Sequence, residues 1–153
     1  MNGVSFWSDG REARQGTANP STRVQIPFRP PLVVRVKREE FMGEEVRPWG
    51  HYEILSESSD HKVKRIVVNA GARFSYQRHQ HRSEHWFIVS GQAKITHNGV
   101  EISMGAGDSI DIAQGELHRL ASIGSEPVVF IEVQSGSYFG EDDIERIEDD
   151  YNR

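Results

Sequence analysis

"AKITHNGVEISM", residues 93–104, decides the fold class. Two strand-sized runs flank Asn98-Gly99, a pair that readily takes the positive φ angles of a type I′ turn, so the stretch predicts a β-hairpin. Similar short runs rich in Val and Ile, separated by turn residues, fill the chain from residue 51 to 134. No helical stretch lies between them, and such a series predicts a sandwich or barrel of β-strands.

The overall composition limits the possible function. With 153 residues, 36% of them hydrophobic, the chain is long enough for one domain with a tail. It has no apolar run of membrane-spanning length and no secretion signal, so we expect a cytoplasmic protein. Residues 141–150 hold seven acids and one arginine, a charge of −6, against −5 for the whole chain. The remainder is close to neutral, so neither nucleic acid nor a membrane is expected as a partner.

The N-terminal part differs in amino-acid composition from the rest of the chain. Five of the six prolines fall at or before Pro48, and proline prevents both helices and central strands. We predict an N-terminal arm at 1–46, partly disordered or exchanging a strand, and a barrel domain at 47–153. The run "LVVRV", residues 32–36, has the β-branched content to pair with the sheet edge of a second copy. This predicts a homodimer.

"QRHQHRSEH", residues 77–85, concentrates polar side chains just before an apolar strand. The chain has no cysteine, so any metal would be bound by nitrogen and oxygen atoms. Gln77, His79 and His81 alternate and therefore project from the same side of an extended strand, and Glu84 follows after enough chain for a bend. Burying these groups together is costly unless a charge pairs with them. The cluster therefore predicts a site for a divalent cation.

The spacing of Gly71, Gln77, His79, Glu84 and Gly91 resembles the first motif of the cupins, with Gln77 where most cupins have a histidine. "GDSIDIAQGELHRLAS", residues 107–122, resembles the second motif. "HRSEHW" and "EVQSGSYFGEDDI" further resemble the C-terminal domain of type II phosphomannose isomerases, the bifunctional mannose-6-phosphate isomerase/mannose-1-phosphate guanylyltransferases. The resemblance covers 47–153. It implies an all-β cupin double-stranded β-helix, a jelly-roll barrel, to which residues 1–46 add an N-terminal extension. The tail "GEDDIERIEDDYNR", residues 140–153, predicts a short C-terminal helical tail, because its acids are well placed for a helix N-terminus.

The resemblance also implies a set of metal ligands, namely Gln77, His79, Glu84 and His118. An alternative set has His81 in place of Gln77. We expect one divalent ion, with zinc first and Mn, Fe, Co or Ni as alternatives, because imidazole and carboxylate ligands suit all of them. Four protein ligands leave a position for water or substrate, as catalytic sites require.

The activity implied is that of a metal-dependent isomerase interconverting mannose 6-phosphate and fructose 6-phosphate. Proton transfer between adjacent carbons passes through an enediol or enediolate, whose negative charge a metal stabilises. Arg82 corresponds to an arginine important in the family, and its guanidinium suits a phosphate or an oxyanion. Lys64 and Arg119 are further candidates for binding the small-molecule sugar phosphate. The candidate proton carriers are His81, His85 and Glu132.

Two other functions fit the same residues. One is a cupin that binds a sugar or small acid without converting it, and the other is a different metal-cupin enzyme such as a dioxygenase. Guanylyl transfer is not expected, because the 153 residues contain no Gly-rich phosphate loop.

Overall fold

The computed structural model describes residues 42–152, whose regular secondary structure is almost entirely β-strand. The chain forms, in order, β1 Met42–Arg47, β2 Gly50–Glu57, β3 His61–Val68, β4 Tyr76–His79, β5 Arg82–Ser90, β6 Ala93–His97, β7 Val100–Met104, β8 Ser109–Ile112, β9 His118–Ser122, β10 Val128–Gly136, a 3₁₀ turn Glu141–Asp143 and β11 Ile144–Glu148.

The strands form two antiparallel sheets, so the predicted all-β jelly-roll class is confirmed. One sheet has the order β1-β2-β3-β10-β5-β8 and the other β11-β4-β9-β6-β7. Strand β10 pairs with both β3 and β5, and Phe130, Glu132 and Gln134 on its inner face are buried. Because side chains alternate between the two faces of a strand, one apolar and two polar side chains of β10 point into the same interior.

The predicted hairpin is present as β6 and β7. Asn98 and Gly99 have φ angles of 48° and 81°, the pair of positive values that a type I′ turn requires. The hairpin forms the edge of its sheet, and β6 pairs on its other side with β9. The hairpin therefore supports β9, the strand that carries His118.

An aromatic cluster fills the apolar part of the interior. Trp86 is fully buried, with its ring centre 5.2 Å from that of Phe130 and 6.2 Å from that of Phe74. Phe74 in turn lies 4.4 Å from Trp49. Tilted and edge-to-face pairs of this kind each add about 0.5–1.5 kcal/mol beyond the burial of their area. This cluster lies beside the polar groups described below.

The C-terminal tail differs from the prediction. It contains a single 3₁₀ turn and then continues as β11, which pairs with β4. The tail acids are not helix-capping groups, because three of them pair with arginines of the body of the domain: Arg78 with Glu145 at 2.7 Å, Arg119 with Glu148 at 3.0 Å and Arg73 with Asp150 at 2.6 Å.

The N-terminal predictions are only partly covered by the structure. Strand β1 begins at Met42, before the boundary predicted between residues 46 and 47, and pairs with β2. The predicted arm up to residue 41 lies outside the described residues, and the homodimer stays a prediction. Within 42–152 there is no helix long and apolar enough to span a membrane.

Candidate metal centre

Three of the predicted ligands meet between the two sheets. His79 comes from β4, Glu84 from β5 and His118 from β9, and one potential ligand atom of each lies within 4.8 Å of the others. All three residues are buried, with 1–4% of their surface exposed. Strand alternation turns each side chain inward, so residues 79, 84 and 118 converge although β5 belongs to the opposite sheet.

The histidines present free nitrogen atoms to the cluster. His118 Nδ1 lies 3.0 Å from the backbone oxygen of Glu116, which can only accept, so Nδ1 carries the proton and Nε2 has a lone pair. His118 Nε2 is buried and has no hydrogen-bond partner among residues 42–152. The same holds for both ring nitrogens of His79, although Nε2 lies 3.2 Å from Glu84 Oε1 without hydrogen-bond alignment.

Burial and charge set the protonation states of the cluster. Burial alone would raise the pKa of Glu84, but His79, His118 and the Arg82 guanidinium together hold that pKa well below its usual range. Burial lowers the pKa of His118, and the nearby Glu84 carboxylate offsets this only in part. A charged carboxylate beside a neutral imidazole is the state in which both groups bind a metal.

Hydrogen bonds from three side chains hold the Glu84 carboxylate in place. Gln134 Nε2 donates to Oε1 at 3.0 Å, Arg82 Nε donates to Oε1 at 3.2 Å and Trp86 Nε1 donates to Oε2 at 3.1 Å. Groups that orient a ligand in this way preserve its geometry and tune its basicity.

The fourth position of the ligand set remains a prediction. Gln77 lies directly opposite His118 in the neighbouring strand, and its amide oxygen accepts a hydrogen bond from Ser75 Oγ at 2.7 Å. The structure places the alternative ligand His81 away from the cluster, because its side chain is 59% exposed and His81 Nδ1 is bound to Asp143 at 2.7 Å. Strand β4 ends at His79, so the alternation that would have turned His81 inward stops before it.

The cluster fits a divalent cation. Buried ring nitrogens without partners beside a charged carboxylate would be unfavourable unless a cation bound them, since buried polar groups are normally paired. Two nitrogen ligands and one oxygen ligand match zinc, manganese, iron, cobalt and nickel equally, so the identity of the metal stays a prediction.

A cavity of about 50 Å³ adjoins the cluster. Its inner end is lined by Glu84, Glu132 and Gln134, each 4% exposed or less. Its outer end is lined by Glu141 and Arg146, whose side chains are 54% and 22% exposed. The cavity therefore runs from the buried carboxylates to solvent, beside the C-terminal tail.

Two of the predicted substrate-binding residues reach this cavity. Lys64 Nζ lies 3.8 Å from Glu132 Oε2 and 4.5 Å from the centre of the Tyr52 ring. Arg82 contacts Glu84 and also donates to the backbone oxygen of Gly140 at 3.2 Å. Both are nearly buried, so each brings a positive charge next to the acidic end of the cavity.

Glu132 is the proton-carrier candidate that lines the cavity. Its carboxyl oxygens accept hydrogen bonds from Trp86 Nε1 at 3.2 Å and from Gln134 Nε2 at 2.9 Å. Burial, together with the negative charge of Glu84, raises its pKa to about 8, against the opposing effect of Lys64 and Arg82.

Arg119 and His85 do not reach the cavity. Each follows directly after an inward ligand, His118 or Glu84, and so projects from the opposite side of its strand. Arg119 is bound to Glu148 and lies over the Tyr76 ring at 5.5 Å. His85 is half-exposed and bound to Asp111 at 2.7 Å. Their predicted roles, phosphate binding and proton transfer, find no support in these positions.

Several residues at the site were missed by sequence reasoning. Gln134 could have been predicted, since it lies two residues after Glu132 in the same strand and therefore faces the same side. The others reach the cavity only through pairing of distant strands: Arg47, Tyr52 and Arg146.

The profile of the family "Mannose-6-phosphate isomerase C-terminal" matches residues 35–149. The chain belongs to this family. The match begins before Met42, so the family's domain includes β1 and the segment that precedes it.

Curated relatives carry the same domain within longer chains. The alginate biosynthesis protein AlgA of Pseudomonas aeruginosa is 49% identical over 107 residues, which is 70% of this chain and 22% of AlgA. The mannose-1-phosphate guanylyltransferase ManC of Salmonella typhimurium is 45% identical over 118 residues, 76% of this chain and 25% of ManC. The chain thus spans a quarter or less of the length of these relatives.

Solved structures agree on the fold. A protein with a double-stranded β-helix domain from Klebsiella pneumoniae has a TM-score of 0.59 at 25% identity, covering 68% of this chain and 86% of its own. An RmlC-like cupin from Shewanella frigidimarina also has a TM-score of 0.59, at 20% identity, covering 69% and 91%. The cupin fold implied by the motif spacing is therefore confirmed.

Proposed function

We propose that this domain is a metal-dependent isomerase that interconverts mannose 6-phosphate and fructose 6-phosphate. The observation that carries the proposal is the convergence of His79, Glu84 and His118 beside a cavity lined by the Glu132 carboxyl and by basic side chains. The Nε2 atom of each histidine is buried and has no hydrogen-bond partner among residues 42–152. Membership of the family supports the choice of substrate. Because the longer relatives are matched only in this domain, the isomerase reaction alone is proposed.

The cluster would hold one divalent cation through His79, Glu84 and His118, with Gln77 as a fourth ligand. When bound, the cation would supply a Lewis acid for the negative charge that develops on the sugar oxygens. Zinc is the first expectation for its identity.

The residues of the chain account for the remaining requirements. Glu132 presents a carboxyl group to the cavity, and burial raises its pKa to about 8, so it can take up and release a proton near neutral pH. Lys64 stabilises the charged form of that carboxyl from 3.8 Å. Arg82 fixes the Glu84 carboxylate and adds positive charge at the same end. Trp86 and Gln134 donate to both carboxyl groups and so hold them in one arrangement.

A coupled assay for fructose 6-phosphate formation on the metal-loaded full chain tests the proposal. Wild type should turn over, and Glu132→Gln should lose about 100- to 10,000-fold in kcat, the usual contribution of a general acid–base group. His85→Gln is the matched control, because His85 lies on the outer face and should leave kcat unchanged. Metal-loaded wild type that binds the sugar phosphate without turnover would instead indicate a binding protein.

A further inference from the structure

Four basic side chains line the cavity, and two of them have a carboxylate within hydrogen-bond distance. These pairs are Arg47 with Glu45 at 2.7 Å and Arg82 with Glu84 at 3.2 Å. The other two have longer contacts, Lys64 with Glu132 at 3.8 Å and Arg146 NH2 with Glu141 Oε2 at 4.0 Å. The positive charge of Arg146 is therefore less neutralised than those of Arg47 and Arg82.

The guanidinium of Arg146 also has an unused donor. Its Nε is buried and has no hydrogen-bond partner within residues 42–152. Two of the arginines that pair with the tail, Arg78 and Arg73, each make two hydrogen bonds to one carboxylate, at 2.6–2.9 Å. Arg119 Nε is likewise buried without a hydrogen-bond partner within residues 42–152, but Arg119 does not line the cavity. A buried donor without a partner costs free energy unless a ligand satisfies it. A positively charged guanidinium with such a donor at the mouth of a cavity is suited to bind an anionic ligand.

Strand pairing aligns Arg146 with the metal-ligand cluster. In β11 it lies opposite Gln77 of β4, and Gln77 lies opposite His118 of β9. Residues opposite one another on neighbouring strands share a face, so the three side chains lie in one row. At about 4.8 Å between strands, the backbones of Arg146 and His118 are roughly 10 Å apart. Arg146 thus stands at one end of the row and the cluster at the other.

The two ends of the cavity match the two ends of a sugar phosphate. The carbonyl carbon of mannose 6-phosphate and the adjacent carbon, which react, lie at one end of the sugar, and the phosphate lies at the other. The buried end carries the Glu132 carboxyl and the Glu84 ligand, whereas the open end carries Arg146. The cavity opens to solvent beside Arg146 and Glu141, so a phosphate at the far end of the sugar would lie at the mouth.

We propose that Arg146 binds the phosphate group of the substrate at the mouth of the cavity, through its Nε and a terminal nitrogen. This assignment rests on the proposed function for the identity of the substrate. It gives the role that the sequence suggested for Arg119 to a residue of the C-terminal strand. The acidic group that faces the bound phosphate is Glu141, which is more than half exposed and so weakly opposes binding.

The test is calorimetric binding of mannose 6-phosphate and of mannose to the full chain, compared between wild type and Arg146→Gln. Loss of a charge-assisted bidentate contact should weaken binding of mannose 6-phosphate by about 10- to 100-fold. Binding of mannose, which has no phosphate, should be the same for both proteins. Arg146→Lys should recover part of the affinity, because it keeps the charge but not the planar fork.

Arg78→Gln is the matched control. Arg78 lies on the outer side of β4 and pairs with Glu145 of β11, so the variant disturbs the same strand pair without touching the cavity. Its affinity for mannose 6-phosphate should equal that of wild type. Equal affinity of Arg146→Gln and wild type, an equal loss in Arg78→Gln, or no binding of mannose 6-phosphate by wild type would overturn the assignment.

These outcomes separate the assignment from the proposed function. Wild type that binds mannose 6-phosphate through Arg146 but shows no turnover would leave Arg146 as a phosphate-binding residue and refute the isomerase. Turnover with undiminished affinity and KM in Arg146→Gln would refute Arg146 and leave the isomerase intact.

Discussion

The interior of the barrel has two regions that meet at Trp86. The apolar region is built from rings such as Phe130 and Phe74, while the polar region holds Glu84, Glu132 and their partners. Trp86 belongs to both, because its ring packs against Phe130 at 5.2 Å and its indole N–H donates to Glu84 and Glu132. The first region contributes stability by removing apolar surface from water, and the second places costly charges where they can bind a ligand.

The difference predicts opposite responses to substitution. Changes in the apolar region should alter the free energy of unfolding and leave the metal-ligand cluster intact. Changes in the polar region should alter binding and turnover with smaller effects on folding, because replacing a buried charge by a neutral group of similar shape is often tolerated.

The largest expected effect is that of Phe130→Ala. Phe130 is fully buried in the central strand β10, so the variant leaves a cavity and should lower the free energy of unfolding by about 3–5 kcal/mol. Chemical denaturation of the metal-free protein measures it. Phe87→Ala on the outer face, where the side chain is 43% exposed, should cost far less. Equal losses of unfolding free energy in the two variants would contradict the division of the interior into an apolar and a polar region.

A smaller effect is expected for Asp143→Asn. Burial would raise the pKa of Asp143, but hydrogen bonds from His81 and the amides of Gln80 and His81, with the charge of Arg82, bring it below the ordinary value. Replacing the carboxylate should cost about 1–3 kcal/mol at neutral pH.

The sign of the pH dependence follows from the lowered pKa of Asp143. A carboxyl group whose pKa is lower in the folded state stabilises the fold above its unfolded pKa, and this stability is lost as pH falls through the folded pKa. The difference between wild type and Asp143→Asn should therefore be constant near neutral pH and shrink in acid. A difference that grew in acid would show that the carboxylate does not stabilise the fold.

The smallest effect on stability is expected for Glu132→Gln. Burial and Glu84 raise the pKa of Glu132 to about 8, so in the metal-free protein its carboxyl is mostly neutral at pH 7. A neutral amide of the same size should then change the free energy of unfolding by no more than the net value of one hydrogen bond, about 0.5–1.5 kcal/mol. A larger loss would mean that Glu132 is charged and that Lys64 depends on it.

The sequence predicted most of what depends on neighbours in the chain. The hairpin at Asn98-Gly99 follows from two adjacent residues, and the spacing of His79, Glu84 and His118 led to the cluster through resemblance to the cupin motifs. The outward position of His85 was also readable, since it alternates with Glu84 in a strand.

What the sequence did not predict depends on pairing between distant segments. Arg146 reaches the cavity only because β11 pairs with β4, and the tail acids that suggested a helix instead pair with arginines far away in the chain. His81 faces outward because β4 ends two residues earlier and Asp143 binds its ring. Such contacts have no local pattern, so alternation alone assigned these residues wrongly or missed them.

The metal content of the purified, metal-reconstituted chain tests the central claim most directly. Elemental analysis after removal of loosely bound ions should find one divalent cation per chain in wild type and in His85→Gln. In His79→Gln the affinity should fall by more than about 100-fold, beyond the loss usual for groups that only support a ligand. Wild type that retains no metal, or His79→Gln that retains as much as wild type, would contradict the account.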